Sequence, residues 1–221
     1  MRFAREGYPF IGAGLVLAAL GWTGWATGFA GLFGQVLAAS LTVLALFTLW
    51  FFRDPDRIDP EGAGLVLAPG EGRVIVVEEV DEPTYIGGPA RKLSIFLSVF
   101  DVHVQRAPVA GTVEHRAYRP GTYAVAWKDK ASEDNEQASL GLATPHGRVL
   151  VRQIAGLVAR RIITYPSEGQ SVERGERIGL IRFGSRVDLF LPMDWEITCA
   201  VGDRAVAGRT VLARQPTEAA S

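Results

Sequence analysis

Three short stretches hold most of the side chains that could do chemistry. Ala68-Pro69-Gly70-Glu71-Gly72-Arg73-Val74 pins a carboxylate in a Gly-rich turn ahead of an apolar strand. Ser98 to Gly111 brings His103 and Arg106 three residues apart at the end of another apolar run. Arg182 to Phe190 contains Gly184-Ser185, the chain's only Gly-Ser pair. A serine hydroxyl is a weak nucleophile at neutral pH and needs a neighbouring base to take its proton. A histidine can be that base, and a carboxylate can orient it or pair with its charge. An arginine offers a guanidinium fork for phosphate or carboxylate. Singly, each stretch has a plainer reading. A Gly-Glu-Gly turn is most often only a turn, and a histidine beside a strand is more often a hydrogen-bonded structural residue than a base. His115 and His146 have no supporting neighbours and read as structural or surface residues. Cys199 reads as a small buried hydrophobe.

The elements that must position these residues fall into two physical environments. The chain has 221 residues, net charge −1, one cysteine and three histidines. Nothing in the bulk charge points to nucleic acid. A single cysteine excludes an intrachain disulfide and fits a cytosol-facing domain. No paired zinc-ligand spacing, Walker A loop, dinucleotide fingerprint or His-Glu-x-x-His helix is present, so no metal ligands are assigned. From Gly7 to Phe52 there is no Asp, Glu, Lys or Arg, whereas charges recur every few residues from Arg53 onward. A spanning helix needs roughly 20 apolar residues. The uncharged stretch therefore predicts two, from about Pro9 to Trp25 and from about Leu32 to Phe52, with the turn within Trp22–Phe29. Trp22, Trp25, Trp50 and Phe51 fall near the expected interfaces, where aromatic rings favour headgroup depth. Arg2 and Arg5 precede the pair, Arg53 and Arg57 follow it, and the turn carries no charge. The positive-inside rule then puts both ends in the cytoplasm. A re-entrant or interfacial hairpin remains open, because the first segment is short and Gly-rich. A hairpin buried in a soluble fold is disfavoured, since so long an uncharged run is hard to bury in a small domain.

Residues 53–221 read as short strands. Leu65–Leu67, Arg73–Val77, Leu93–Val99, Val149–Ile154 and Ala159–Thr164 are apolar and β-branched, with turn signals at Pro69-Gly70, Gly87-Gly88-Pro89, Pro108–Gly111, Pro120-Gly121 and Pro145–Gly147. Lys128–Ala138 is polar and reads as an exposed loop or a short helix. The tail Gln215–Ser221 reads as frayed. The fold class is thus an N-terminal transmembrane or interfacial helical hairpin, 1–52, followed by a β-rich sandwich or barrel-like domain, 53–221, mainly β with some α. Val172–Gly179 carries a turn glycine in a V-x-x-G-x-x-I pattern similar to that of biotinyl and lipoyl carrier domains, which speaks to fold only.

Taken together, the motifs resemble the phosphatidylserine decarboxylase family in its short bacterial and archaeal form. The similar features are Phe51-Phe52-Arg53-Asp54-Pro55, the Pro-x-x-Gly-x-Val turn at Pro69, Phe100-Asp101-Val102-His103-Val104, Asp134-Asn135-Glu136, Gln153-Ile154-Ala155-Gly156 with Ala159-Arg160-Arg161, Gly175–Gly179 and the Gly184-Ser185 junction. Their order and spacing are far more specific than any one of them.

The resemblance implies a pyruvoyl-dependent carboxy-lyase of phospholipid biosynthesis that is made as a proenzyme. Ser185 would attack the Gly184 carbonyl, and the resulting ester would eliminate. The products would be a β chain, 1–184, and an α chain, 185–221, whose first residue is a pyruvoyl group derived from Ser185. These two chains would form a heterodimer, with further oligomerisation left open. The pyruvoyl carbonyl, the sole cofactor, would form a Schiff base with the amine of phosphatidylserine and accept electrons as carbon dioxide leaves, giving phosphatidylethanolamine. The partners implied are the phospholipid and the membrane, with the catalytic domain on the cytoplasmic face of the cell membrane. Two departures bear on the carry-over. Longer members have Asp in the turn where this chain has Glu71, and a second His where it has Arg106. His103 is therefore the expected base for cleavage, proton donor in decarboxylation, or both. Glu71 would orient or charge-pair it, and Arg106 would bind substrate phosphate or carboxylate. The alternatives are a non-enzymatic, membrane-anchored lipoyl- or biotinyl-like β-barrel module, and a pyruvoyl decarboxylase of a soluble amino acid. The hairpin argues against the latter.

Overall fold

A computed structural model describes residues 2–121, 135–156, 161–182 and 184–216. The chain divides into two compact units, Met1–Asp56 and Arg57–Ser221.

In the first unit, a short strand β1 (Arg2–Phe3) pairs antiparallel with β2 (Arg53–Asp54). Between them run α1 (Tyr8–Ala26) and α2 (Gly31–Phe51), within a residue or so of the expected limits. Proline near the start of α1 suits a position whose N–H has no intrahelical partner. The helices pack through small residues. A Cβ on Gly14 or Gly21 would lie 3.2 Å from the Cα of Ala45 or 3.1 Å from that of Ala38. Such close approach suits helices that meet without a hydrophobic driving force. Trp22 adds a hydrogen bond to Thr42 Oγ1 at 2.9 Å. The large apolar side chains point outward instead: Leu20, Leu32, Phe33, Val43 and Leu46 are all exposed. Both helices are long and apolar enough to cross a membrane, and little of either is buried. That argues against the core hairpin of a soluble fold.

The second unit is all strand and loop among its described residues. In chain order the strands are β3 (Leu65–Leu67), β4 (Gly72–Glu82), β5 (Gly88–Leu97), β6 (Val104–Arg106), β7 (Gly111–Arg119), β8 (Gln137–Thr144), β9 (Gly147–Ala155), β10 (Ile162–Thr164), β11 (Ser171–Val172), β12 (Arg177–Ile181), β13 (Ser185–Leu191), β14 (Glu196–Ile197), β15 (Arg204–Ala205) and β16 (Val211–Arg214). The largest sheet has the order β11-β7-β8-β9-β13-β5-β4-β15, beside two three-stranded sheets, β10-β12-β6 and β14-β16-β3. Alternate residues of a strand share a face. Leu93, Ile95 and Leu97 of β5, Val149 and Val151 of β9, and Val187, Leu189 and Leu191 of β13 accordingly line one continuous core. Ala107, Val109, Ile178 and Ile181 pack into it.

Strand β13 is buried along its whole length, with β5 on one side and β9 on the other. Its other face carries a buried ion pair. Arg186 Nε donates to Asp188 Oδ1 at 2.6 Å, and Arg186 Nη2 to Ser94 Oγ at 2.8 Å. Each anticipated strand within the described residues is present, several of them longer than expected. Strands β7 and β8 were not anticipated. The Lys128–Ala138 stretch lies outside the described residues up to 134, and beyond that the exposed-loop expectation is corrected. Asn135 and Glu136 are buried, and Asn135 Nδ2 donates to Ala155 O at 2.7 Å. Asp134, Ala159, Arg160, Phe183 and residues 217–221 also lie outside the described set.

Candidate active site

The Gly184-Ser185 junction is the point where the chain enters the centre of the large sheet. Ser185 lies opposite Leu97 of β5 and Ala155 of β9. Gly184, just before it, has φ +64°, in the left-handed region that a side chain disfavours. A Cβ there would meet only Val99 Cγ1, at 3.9 Å, so glycine is required by backbone conformation and not by space. Ser185 is fully buried, and its Oγ has no hydrogen-bond partner among the described residues. A buried hydroxyl left so costs about 1–3 kcal/mol. Such a cost is more easily explained at a reacting atom than in a packing position.

His103 is the titratable side chain that reaches Gly184. It is buried, at the end of the loop that leads from β5 into β6. Its Nδ1 lies 2.9 Å from the carbonyl oxygen of Asp101. A carbonyl can only accept, so Nδ1 carries the proton and Nε2 carries the lone pair. That lone pair accepts the Gly184 N–H at 3.3 Å. The imidazole is thus held in the tautomer that can take a proton, with its accepting nitrogen on the N–H of Gly184, the residue before Ser185.

The other expected residues are placed differently. Glu71 is buried in its turn, and its carboxylate pairs with two arginines. Arg57 Nη2 donates to Oε2, and Arg204 Nη2 lies 3.7 Å from Oε1. Arg106 is also buried, with Nη1 donating to the Gly175 carbonyl at 3.0 Å and its Cδ where a side chain on residue 208 would have to go. Position parity explains this. Gln105 lies on the same side as His103 and bonds to Gln153, whereas Arg106 turns the other way. The structure therefore brings His103 to the junction and gives Arg106 a backbone partner elsewhere. His115 stacks on Tyr85 with ring centroids 5.5 Å apart, and His146 is exposed in the β8–β9 turn, in keeping with structural and surface roles. Cys199 is half-buried, not buried as expected. Burial, helped by Asp203, pushes its thiol up to about 11.

Sequence reasoning missed Asp101 and Arg204 as partners of the site. Asp101 Oδ2 accepts the Ser98 N–H and hydroxyl at 2.7 and 2.8 Å, and its Oδ1 accepts Arg204 Nη2 at 2.5 Å. Asp101 stands in the same motif as His103 but drew no role, and Arg204 is a lone arginine with no local signal. A cavity of about 420 Å³ is lined by Glu82, Arg119, Ser139, Arg152 and Phe190 among others. It opens on the sheet face that carries Arg186 and Asp188, opposite the face that carries Ser185.

A family model described as phosphatidylserine decarboxylase matches residues 44–213. The chain belongs to the phosphatidylserine decarboxylase family. Phosphatidylserine decarboxylase proenzymes similar to it include that of Symbiobacterium thermophilum, 53% identical over 215 residues that cover 96% of this chain and 95% of the relative. That of Xanthobacter autotrophicus is 48% identical, covering 98% and 92%. That of Salinibacter ruber is 50% identical, covering 83% and 82%. Nothing in these matches supports the non-enzymatic carrier-like module. At the two positions where this chain departs from the longer phosphatidylserine decarboxylases, Glu71 and Arg106, the side chains are both buried and both paired.

Proposed function

We propose that the chain is a phosphatidylserine decarboxylase proenzyme that cuts itself between Gly184 and Ser185 and converts phosphatidylserine to phosphatidylethanolamine and carbon dioxide. The observation that carries this reading is the meeting of three features. They are a buried serine hydroxyl without a hydrogen-bond partner among the described residues, a glycine in left-handed conformation before it, and an imidazole whose lone pair accepts the N–H of that glycine.

The chemistry follows from these atoms. His103 Nε2 takes the Ser185 hydroxyl proton while Oγ attacks the Gly184 carbonyl carbon. The C–N bond breaks, the nitrogen receives the proton, and Gly184 is left as an ester on Ser185. Removal of the Ser185 Cα proton expels the Gly184 carboxylate from Cβ and leaves a dehydroalanine. Water then replaces its nitrogen as ammonia, which gives a pyruvoyl group at the head of 185–221. The site fits such a group. Its position is fully buried between β5 and β9, and His103 Nε2 accepts the N–H of the residue before it. Once formed, the pyruvoyl group supplies the electron sink for loss of carbon dioxide. His103 would return the proton. Glu71 pairs with Arg57 and Arg204 and balances their charge, and the Arg106 guanidinium is the proposed contact for substrate phosphate or carboxylate. The helical hairpin anchors the enzyme at the lipid surface, with the catalytic unit on the cytoplasmic side by the arginines that flank the hairpin.

Intact mass of the purified full-length protein tests this. The expected result is two chains, 1–184 and 185–221, the smaller one lighter by one ammonia than a serine-started peptide and heavier by two hydrogens after borohydride treatment. His103→Asn, which keeps a donor near the Nδ1 position but removes the base, should remain a single chain. An uncut parent chain that still decarboxylates the lipid would overturn the reading.

A further inference from the structure

We infer that Arg204 and Asp101 are positioning residues for His103, and that they form a clasp which joins the two sides of the cut. The inference rests on the reading of His103 as the base at Gly184-Ser185.

The imidazole is useful only in one tautomer. What fixes that tautomer is the Asp101 carbonyl, 2.9 Å from Nδ1. The carbonyl in turn is only as well placed as the turn that carries it. That turn is closed three times. Asp101 N–H donates to Ser98 O at 3.0 Å, and the Asp101 carboxylate accepts both the N–H and the hydroxyl of Ser98. The remaining carboxylate oxygen, Oδ1, is held by Arg204 Nη2 at 2.5 Å. The same guanidinium nitrogen lies 3.7 Å from Glu71 Oε1, and Glu71 is itself bound by Arg57. Charges therefore alternate along Arg57, Glu71, Arg204 and Asp101, and the series ends on the backbone carbonyl that orients His103.

The placement of Arg204 is fixed by backbone as well as by charge. Strand β15 pairs with the start of β4, with Arg204 opposite Arg73 and Ala205 opposite Gly72, the residue after Glu71. Val74 N–H also donates to Asp203 O at 2.9 Å. The guanidinium thus leaves a registered strand and reaches two carboxylates. The Asp101 and Glu71 side chains are nearly buried, whereas that of Arg204 is 55% exposed. Arg204 is therefore the one member that can be changed with little effect on packing. It also lies on the 185–221 side of the junction, while Ser98, Asp101, His103, Glu71 and Arg57 lie on the other. The clasp survives a cut at Gly184-Ser185 and holds the base in register for the later proton return.

The test is the rate of self-cleavage of full-length chains synthesised in a cell-free system with lipid vesicles, followed on denaturing gels. Melting of the same variants in a Ser185→Ala background serves as a folding control. Arg204→Gln should slow cleavage about 10- to 100-fold, the scale of a small misplacement of a catalytic group, with little change in melting. Arg204→Lys should restore most of the rate. Asp101→Asn should slow it as well, and the double variant should be no slower than the worse single, because the two act as a unit. Parent-like cleavage by Arg204→Gln and Asp101→Asn, with His103→Asn uncut, would overturn the clasp and leave the base in place. Lysine no better than glutamine, at equal melting, would overturn it too. Parent-like cleavage by His103→Asn would instead remove the reading beneath it.

Discussion

Gly184→Ala separates conformation from crowding at the junction. The residue has φ +64°, and the nearest atom to a built Cβ is Val99 Cγ1 at 3.9 Å, an ordinary van der Waals contact. The methyl group therefore has room, and its whole cost is the left-handed backbone, about 1–2 kcal/mol for an L residue. At 25 °C that lowers the population of the turn by about 5- to 30-fold. The same turn offers the Gly184 N–H to His103 Nε2 and leads its carbonyl into Ser185, so self-cleavage should slow by that factor. Asparagine enters the left-handed region more readily than alanine, so Gly184→Asn should fall between the two. In a Ser185→Ala background, which stays uncut, Gly184→Ala should lower the melting temperature by about 2–8 °C. The assay is a gel time course of cell-free translation product beside a thermal melt. Alanine cutting at the parent rate, or asparagine cutting slower than alanine, would refute the conformational argument. An accelerated alanine variant would refute it as well, because strain released on the way to the transition state would then outweigh the lost population.

Glu82 is buried and accepts the N–H groups of Tyr85 and Ile86 at 2.9 and 3.0 Å, with Arg152 Nη2 at 2.7 Å. Burial pushes its carboxyl up, but these hydrogen bonds, that of Thr84 and the Arg152 charge outweigh it and hold the group below its ordinary value of 4.5. A depressed carboxyl contributes stability that is fully present above the unfolded value and is lost as pH falls through the folded one. Glu82→Gln should therefore be less stable than the parent in urea at pH 7, with the difference shrinking below about pH 4. An unchanged difference at low pH would count against the assignment. Gly72→Ala should cost more than about 3 kcal/mol, among the largest single-site effects, because its Cβ would lie 1.9 Å from the Phe96 carbonyl oxygen. A urea midpoint near the parent's would show that β4 and β5 can separate there. Cys199, with its thiol raised to about 11, should react with iodoacetamide at pH 8 on the order of a hundredfold more slowly than a free cysteine. It should recover full reactivity in denaturant, and rapid labelling of the folded chain would contradict its burial.

The parts of this molecule that were legible in sequence are those where one physical requirement dominates a whole segment. The hairpin is one. Forty-six residues without a charge leave few alternatives, and the two helices end within about a residue of where hydropathy and aromatic residues put them. The apolar strands β3, β5 and β9 are another. Strands β7 and β8 were missed for an opposite reason. Strand β7, Gly111–Arg119, is exposed along most of one side and carries Glu114, His115, Arg116 and Arg119, so its composition mimics a loop. Strand β8 follows a polar stretch, and two of its first three buried residues, Gln137 and Ser139, are polar themselves.

At the site, the resemblance singled out His103, and the structure brings it to Gly184. The carbonyl at its Nδ1 was not legible, because any residue can supply a backbone carbonyl. The side on which Arg106 lies was not legible either, because three residues of separation say nothing about which side of an extended strand is in use. Only the register of β6 against β12 decides that.

The position of the junction in the sheet constrains what processing can do. Strand β13 has seven registered pairs with β5 and six with β9, all beginning at Ser185. Strand β15 is paired with β4, and β16 with β3, so the 185–221 segment is tied to the rest of the chain by strands on either side. A cut at Gly184-Ser185 breaks none of these pairings. It frees only a turn held in an unfavourable conformation. The two products would remain one folded body, and the fold of the precursor must already be that of the enzyme. Under the proposed function, one imidazole could then serve both reactions. The sheet fixes the Ser185 main chain between two neighbours before the cut and after it. A base held against Gly184 would still be beside residue 185 when its side chain and nitrogen have been rebuilt. The proposed self-cleavage and lipid decarboxylation would in this sense be two uses of a single enclosed position, and what would change between them is the covalent state of Ser185, not the architecture around it.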